Sequence, residues 1–450
     1  ASQLPVSLEN WRRRLDEDAD RIDSASAGTP FYGLLALFML DHGAVEDALV
    51  AAELGRARAF ADLVAGADGE RADDAAPRFS RAVLRETVAG QHTAVEYFVT
   101  DHGLLIFVID AAGEVRAVPA ACDAVPRLTA GTERYRQVMT AGRLDEAALD
   151  AVLRELYDVL WQPVAAQLPA APDETVLIVP HGAAMQVPFP GLRAADGQYL
   201  IQRHGIALLP GLALLPMLGQ RAAARATAPA GPGELLAFVS PEPLPANPDT
   251  GAPLPALDGM AELFGAIARG YPRATVRAGR AASAAALLAG PAPAPRAQPV
   301  VLYFGTRAFV SQRQTADPLD SFIALAPATG AGAGAGAGAD GMLRVRDILG
   351  ARLPGDIAVL AACTTGQGKV TGDGVTGLSR AFLTAGPTSL VLPLSEVDHD
   401  SSLELLAGFH ARLRSGLRSS AKALARAQRQ LISDGEQAHS WSSFVLFGLP

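Results

Sequence analysis

Cysteine is almost absent from this chain of 450 residues, which has only Cys122 and Cys363. Two thiols so far apart form neither a disulfide framework nor a zinc cluster. Long apolar runs are lacking too: Leu34 to Leu40 is too short to cross a bilayer, and Ile206 to Leu218 is interrupted by prolines. No signal peptide is visible in the sequence, so we expect a cytoplasmic protein.

The chain also lacks a basic excess, since 47 acidic residues outnumber 38 lysines and arginines and give a formal net charge of −9. Nonspecific binding of nucleic acid or of an anionic membrane needs a basic surface, so we expect neither partner. The sequence contains no P-loop, no dinucleotide-binding glycine pattern and no cluster of metal ligands, so we expect no cofactor and no metal. Its heavy use of Ala, Arg, Gly and Pro is typical of GC-rich bacterial genes.

Apolar residues recur at helical spacing through the first part of the chain. They predict a helical region over residues 1–66, with a turn between two helices at Asp41 and Gly43. One helical pair is too little to establish a repeat period, but it resembles a unit of a helical-hairpin repeat. The acidic segment from Gly66 to Pro77 then predicts a linker.

From residue 80 onward the pattern is that of a mixed α/β domain. Three short β-rich runs separated by Gly-containing turns, 93–100, 104–110 and 114–119, predict an antiparallel meander. An amphipathic helix over 144–161 follows, and then apolar runs alternate with helical patterns. We expect a mainly parallel sheet flanked by helices, with the meander at its edge. The apolar runs are 176–180, 200–209, 235–240, 274–277, 300–305, 357–362 and 389–394.

Two low-complexity stretches interrupt this domain. The Ala/Pro/Gly stretch 222–232 divides it into candidate halves, 80–222 and 233–450. The alternating Gly-Ala run 329–339 cannot form a specific core, and we expect it to be a flexible loop.

Cys363 is the strongest candidate site residue. It follows an apolar strand and opens the turn Thr364-Thr365-Gly366. Loops at the carboxyl ends of parallel strands are where α/β proteins bind ligands and carry out chemistry. A nucleophile there would still need a base, and most unpaired cysteines are only small buried residues.

Several ordered motifs around Cys363 resemble the CHAT domain, a caspase-like cysteine peptidase family of bacteria related to separases and caspases. The resemblance covers about residues 80–450 and implies a caspase-like fold, with the preceding helices as a tetratricopeptide-repeat (TPR)-like unit. The motifs are Val179-Pro180-His181-Gly182, Val187-Pro188-Phe189, Asp317 to Ser321, Leu360 to Gly366, Asp373 to Gly386 and Trp441 to Gly448.

By this resemblance Cys363 corresponds to the family nucleophile, whereas Arg307 occupies the position of the family's catalytic histidine. Ala308 replaces the glycine that follows it. Arginine stays protonated and has no acceptor site, so it cannot shuttle a proton, although it can stabilise a thiolate. Two histidines after other strands, His181 and His399, are the candidates for a substitute base.

Acidic residues in the loops after Cys363 and after the next strand are candidates for binding a basic side chain. They are Asp373, Asp398 and Asp400, with Asp373 the first choice because glycines flank it.

Three functions remain open at this point. The leading hypothesis is a degenerate CHAT protein that binds a protein or peptide partner, within a bacterial defence or regulatory system as the family implies. The second is an active cysteine endopeptidase that uses His181 or His399 as its base. The third is a structural subunit in which Cys363 has no chemical role.

Overall fold

The computed structural model forms two compact units, one of residues 1–217 with 370–375 and one of residues 218–369 with 376–450. The predicted domain boundaries, 1–66, 80–222 and 233–450, stay predictions. The linker 66–77 and most of 222–232 and 329–339 lie outside the described residues. The described residues are 32–56, 92–141, 143–171, 173–225, 233–248, 251–252, 254, 264–265, 267–289, 299–309, 321–328, 337–361, 369–371, 374–376, 378–395, 399–417 and 419–450.

The first described elements of unit 1 are a pair of helices, as the helical periodicity predicts. The first covers residues 32–41, and α1 (Val45–Arg56) follows the turn at Gly43, whose φ is 72°. A Cβ on Gly55 would lie 2.8 Å from the Cβ of Tyr32, so the two helices approach too closely for a side chain at this position. Buried Glu53 accepts a hydrogen bond from the Ala213 amide at 3.0 Å, which fixes α1 to the rest of the unit.

The strands of unit 1 follow the order β3-β2-β1-β4-β5. The antiparallel meander β1-β2-β3 confirms the sequence prediction, and β1, β4 and β5 pair in parallel. The elements are β1 (Thr93–Thr100), β2 (Gly103–Ile109), β3 (Val115–Val118), α2 (Ala124–Thr140), α3 (Glu146–Leu160), β4 (Thr175–Val179), α4 (Leu200–Arg203) and β5 (Gly205–Leu208).

The prediction of one strand over residues 200–209 was wrong in its first half, where α4 forms before β5. The Gln202 side chain turns back to accept a hydrogen bond from the Tyr199 amide at 2.8 Å. This contact gives a hydrogen-bond acceptor to an amide at the start of the helix that has no partner within the helix, and it therefore favours the helix over an extended chain.

Unit 2 contains the strand order β16-β15-β12-β8-β6-β7. All neighbours pair in parallel except β15 and β16. The sheet elements and first helices are α5 (Leu215–Arg225), β6 (Glu234–Val239), β7 (Arg273–Ala278), α6 (Ala284–Leu288), β8 (Val300–Gly305), β12 (Ile357–Leu360), β15 (Ser389–Pro393) and β16 (Phe444–Gly448).

Smaller strands and further helices complete the described elements. A three-stranded sheet has the order β11-β10-β9, and β13 pairs with β14. These smaller strands and further helices are β9 (Ala308–Phe309), β10 (Phe322–Ala324), β11 (Met342–Arg344), α7 (Val345–Leu349), β13 (Lys369–Thr371), β14 (Gly374–Thr376), α8 (Leu378–Ala385), α9 (His399–Arg414), α10 (Ser420–Ser433) and α11 (Ala438–Trp441).

Helices cover both faces of β8, as the continuous apolar character of this strand predicts. Phe304 contacts Phe382 of α8, with ring centroids 5.5 Å apart. The preceding residue, Tyr303, points to the opposite face and contacts His410 of α9, with ring centroids 5.6 Å apart. Among the helices of the described ranges, none has the length and apolar character that a membrane crossing requires.

Candidate active site

Hydrogen bonds connect the end of β8 to the three-stranded sheet β11-β10-β9. The Thr306 hydroxyl is buried and donates a hydrogen bond to the Ala324 carbonyl at 2.6 Å. The Ala324 amide in turn donates to the Arg307 carbonyl at 2.8 Å. Ala308 then enters β9, opposite Ile323 of β10. These contacts fix the backbone of Arg307 directly beyond the carboxyl end of β8.

The register of β8 and β12 is described up to the residues just before the positions of the predicted dyad. In the parallel pair β8–β12, Leu360 lies opposite Phe304. The Ala361 amide donates to the Phe304 carbonyl at 2.9 Å, so the pairing continues to the last described residue before Cys363. Arg307 and Cys363 each follow a member of the Phe304–Leu360 pair by three residues. Cys363 itself lies outside the described residues.

The other predicted site residues are described only in part. Asp373 and Asp398 lie outside the described residues. His399 and Asp400 form the start of α9, and the structure describes their backbone but not their side chains.

His181 lies in unit 1, just after β4. It is buried at the start of a 3₁₀ turn, and its Nδ1 accepts a hydrogen bond from the Val99 amide at 3.0 Å. Its ring stacks on Phe98 at 4.6 Å. With Nδ1 used as an acceptor, the proton of the neutral ring resides on Nε2. The nitrogen that remains would donate a proton, not accept one, so this geometry favours a structural role.

Unit 2 contains a buried polar cluster that no sequence motif indicates. The Tyr271 hydroxyl lies 2.6 Å from the Nδ1 of His410, and burial lowers the pKa of His410 to about 3. The Arg414 guanidinium, 5.6 Å from the Tyr271 ring, acts in the same direction on the His410 pKa. His410 therefore stays neutral and contributes to packing, because a charged imidazolium would have to be solvated there.

No group of three or more potential metal ligands is found in the part of the chain that the structure describes. Cys122 is exposed on the surface of unit 1.

Comparison with curated proteins links the chain to a repeat-containing protein. Human tetratricopeptide repeat protein 28 is 35% identical over 109 residues, which is 24% of this chain. The mouse protein of the same name is 33% identical over 109 residues. The chain spans only about 4% of the length of these relatives.

The fold is shared with a cysteine-peptidase structure. A structure of the Saccharomyces cerevisiae separase–securin complex at 3.0 Å resolution matches 99% of this chain and 37% of that chain. Its TM-score is 0.59 and its sequence identity is 10%. This similarity is one of fold, and it agrees with the caspase-like architecture expected from the sequence.

The CHAT domain model matches residues 150–449, two thirds of the chain. It includes β8, β12 and the position of Cys363. The chain belongs to the CHAT domain family, as its motifs predicted.

Proposed function

We propose that this protein is a CHAT-family protein without peptidase turnover, which acts by binding a protein or peptide partner in a bacterial regulatory or defence system. The observation that carries the proposal is the arginine at position 307. Arg307 follows Phe304 by three residues, and Cys363 follows Leu360, the register partner of Phe304, by three residues in the sequence.

Peptide hydrolysis by a thiol needs a group that first accepts and later donates a proton near neutral pH. Histidine does this, and arginine does not, because its guanidinium has no acceptor site. A guanidinium beside Cys363 would stabilise the thiolate. The expected site therefore contains a reactive thiol with no proton shuttle.

A peptide-library assay tests this proposal. We expect the wild-type protein to give no cleavage above the background of Cys363→Ala. The double variant Arg307→His/Ala308→Gly restores the family residues at both positions and is expected to gain cleavage. A triple variant that adds Cys363→Ala should lose that gain again, which assigns it to the thiol.

Turnover by the wild-type protein that Cys363→Ala abolishes would contradict the proposal and favour an endopeptidase. Single replacements His181→Gln and His399→Gln would then identify the base. His181 is buried and hydrogen-bonded, so its replacement can also destabilise the fold. Thermal unfolding of each variant must therefore show that the protein is still folded when its activity is lost.

For the partner we propose contacts with basic side chains through Asp373, Asp398 and Asp400. The sequence predicts Asp373 and Asp398 in loops, and Asp400 lies in the first turn of α9. Carboxylates at such positions suit a lysine or arginine of a bound segment. The separase structure contains the protein securin, and the curated relatives are named for tetratricopeptide repeats, so a protein partner is consistent with both.

A further inference from the structure

The edge strand β7 exposes its backbone and both of its faces. It is the last strand in the order of its sheet, and within the described residues it pairs with β6 alone, in parallel. All six of its residues are exposed or partly exposed, and Val276 keeps 46% of its surface accessible. Most sheet edges are shielded by loops, charges or irregularities, so an accessible regular edge can bind another strand.

The hydrogen-bonding pattern identifies the residues that face outward. The Arg273 amide donates to the Gly233 carbonyl at 3.2 Å, so this residue points toward β6. Residues of a parallel strand alternate in direction, so Thr275 and Arg277 also point inward. The amides and carbonyls of Ala274, Val276 and Ala278 then point away from the sheet. Three consecutive pairs of backbone groups are thus presented to an incoming strand.

The side chains of β7 divide into two chemically different faces, because successive residues alternate. One face carries Arg273, Thr275 and Arg277, and the other carries Ala274, Val276 and Ala278. This basic edge lies in a protein with a net charge of −9. Of the two arginines, Arg277 has a buried Nε without a hydrogen-bond partner.

Neither arginine is neutralised within the described residues, where no ion pair to Arg273 or Arg277 is found. Glu234 of β6 lies opposite Arg273 in the register. Arg277 lies opposite Phe238, which carries no charge. Arg273 is exposed and Arg277 is partly exposed, so each can be reached by a carboxylate on a neighbouring strand.

We infer that β7 is a docking edge for an extended peptide in which acidic and small apolar residues alternate. Its backbone would pair with Ala274, Val276 and Ala278. Its acidic side chains would lie opposite Arg273 and Arg277, and its apolar side chains would lie on the Val276 face. Self-pairing with a second copy, centred on Thr275, would set Arg273 opposite Arg277, a like-charge contact that an acidic peptide avoids. The inference does not depend on whether Cys363 is catalytic.

Fluorescence anisotropy with the full chain tests this docking edge. The probe is a labelled nine-residue peptide of alternating Glu and Val, and its control has the same composition in separate Glu and Val blocks. The alternating peptide should bind at least about tenfold more tightly, because only it matches both faces of β7. Its affinity should fall as salt rises, since the charges are exposed and screened.

Two variants separate the charge contribution from the backbone contribution. Arg273→Glu/Arg277→Glu should weaken binding at least about tenfold, because like charges then oppose the peptide. Val276→Pro removes one outward amide and spares the hydrogen bonds to β6, as proline allows at an edge strand, and should weaken binding too. The matched control Arg116→Glu/Arg143→Glu makes the same charge change on exposed arginines of unit 1 and should leave binding within about twofold, since only screened long-range effects remain.

Three results would overturn the inference. They are no binding of the alternating peptide up to millimolar concentration, equal binding of the two peptides, and an affinity that Arg273→Glu/Arg277→Glu leaves unchanged. Thermal unfolding of each variant establishes that it is folded. If Val276→Pro fails to fold, the charge-reversal variant and the block peptide still decide the question.

Discussion

At the scale of single residues, the burial of His410 makes unit 2 sensitive to acid. Its pKa is about 3 in the folded protein, against an ordinary value of 6.5. Because the folded pKa is the lower one, the unfolded chain binds a proton first as the pH falls. The stability associated with neutral His410 is complete above pH about 6.5 and is lost progressively toward pH about 3.

We expect the free energy of unfolding of the wild-type protein to fall relative to that of His410→Gln as the pH is lowered from 7 to 4. The difference in slope approaches about 1.4 kcal/mol per pH unit, the value for one proton. Urea unfolding at a series of pH values measures it. His102→Gln, which makes the same substitution at an exposed histidine, is the control. Parallel curves for wild type and His410→Gln would refute the assignment.

Among single residues, the sequence could indicate site candidates only where a motif of the family contains them. Cys363 and Arg307 could be proposed as site residues because the family motifs occur in a fixed order along the chain, and the family match includes both positions. Their roles stay predictions. His410 was one of eight histidines and carried no local signal. Its burial comes from Tyr271 and Tyr303, which are distant in sequence, so no local pattern could show it.

At the scale of elements, the close packing of α1 depends on a glycine. Gly55→Ala should destabilise the protein by about 1–3 kcal/mol, because the new methyl group overlaps the Cβ of Tyr32. Gly219→Ala in α5 is the matched control, since no atom lies within 4 Å of its added Cβ. There alanine should stabilise by up to about 1 kcal/mol through its higher helix propensity.

Urea unfolding of the two variants measures both effects. Equal changes in Gly55→Ala and Gly219→Ala would show that propensity alone acts at both sites, and that the contact with Tyr32 is not restrictive.

The meander and the buried parallel strands could be predicted because their periodicity is local. The three short strands β9, β10 and β11 could not, because each has only two or three residues and is defined by its partners. The strand β7 was predicted, but its exposure was not. The strand is exposed because it lies at the end of the strand order, and that order depends on the whole chain and not on the six residues of β7.

At the scale of the whole molecule, family membership and the caspase-like fold are established, and the chemistry of the site is proposed. The family match includes 150–449, and the similarity to separase extends over 99% of the chain at 10% identity. A fold can be retained at this level of divergence while its chemistry changes. The account therefore depends on whether an arginine, and no histidine, lies beside Cys363.

The pH dependence of Cys363 alkylation tests this most directly. Iodoacetamide labelling is followed by mass spectrometry from pH 4 to 10, with Cys122 as the internal reference. A thiolate beside arginine should give a single ionisation below the ordinary pKa of about 8.5, with no second step, because arginine does not titrate in this range. Arg307→Gln should move that ionisation upward. A two-step profile whose second step disappears in His181→Gln or His399→Gln would instead reveal a working thiol–imidazole pair and would contradict the account.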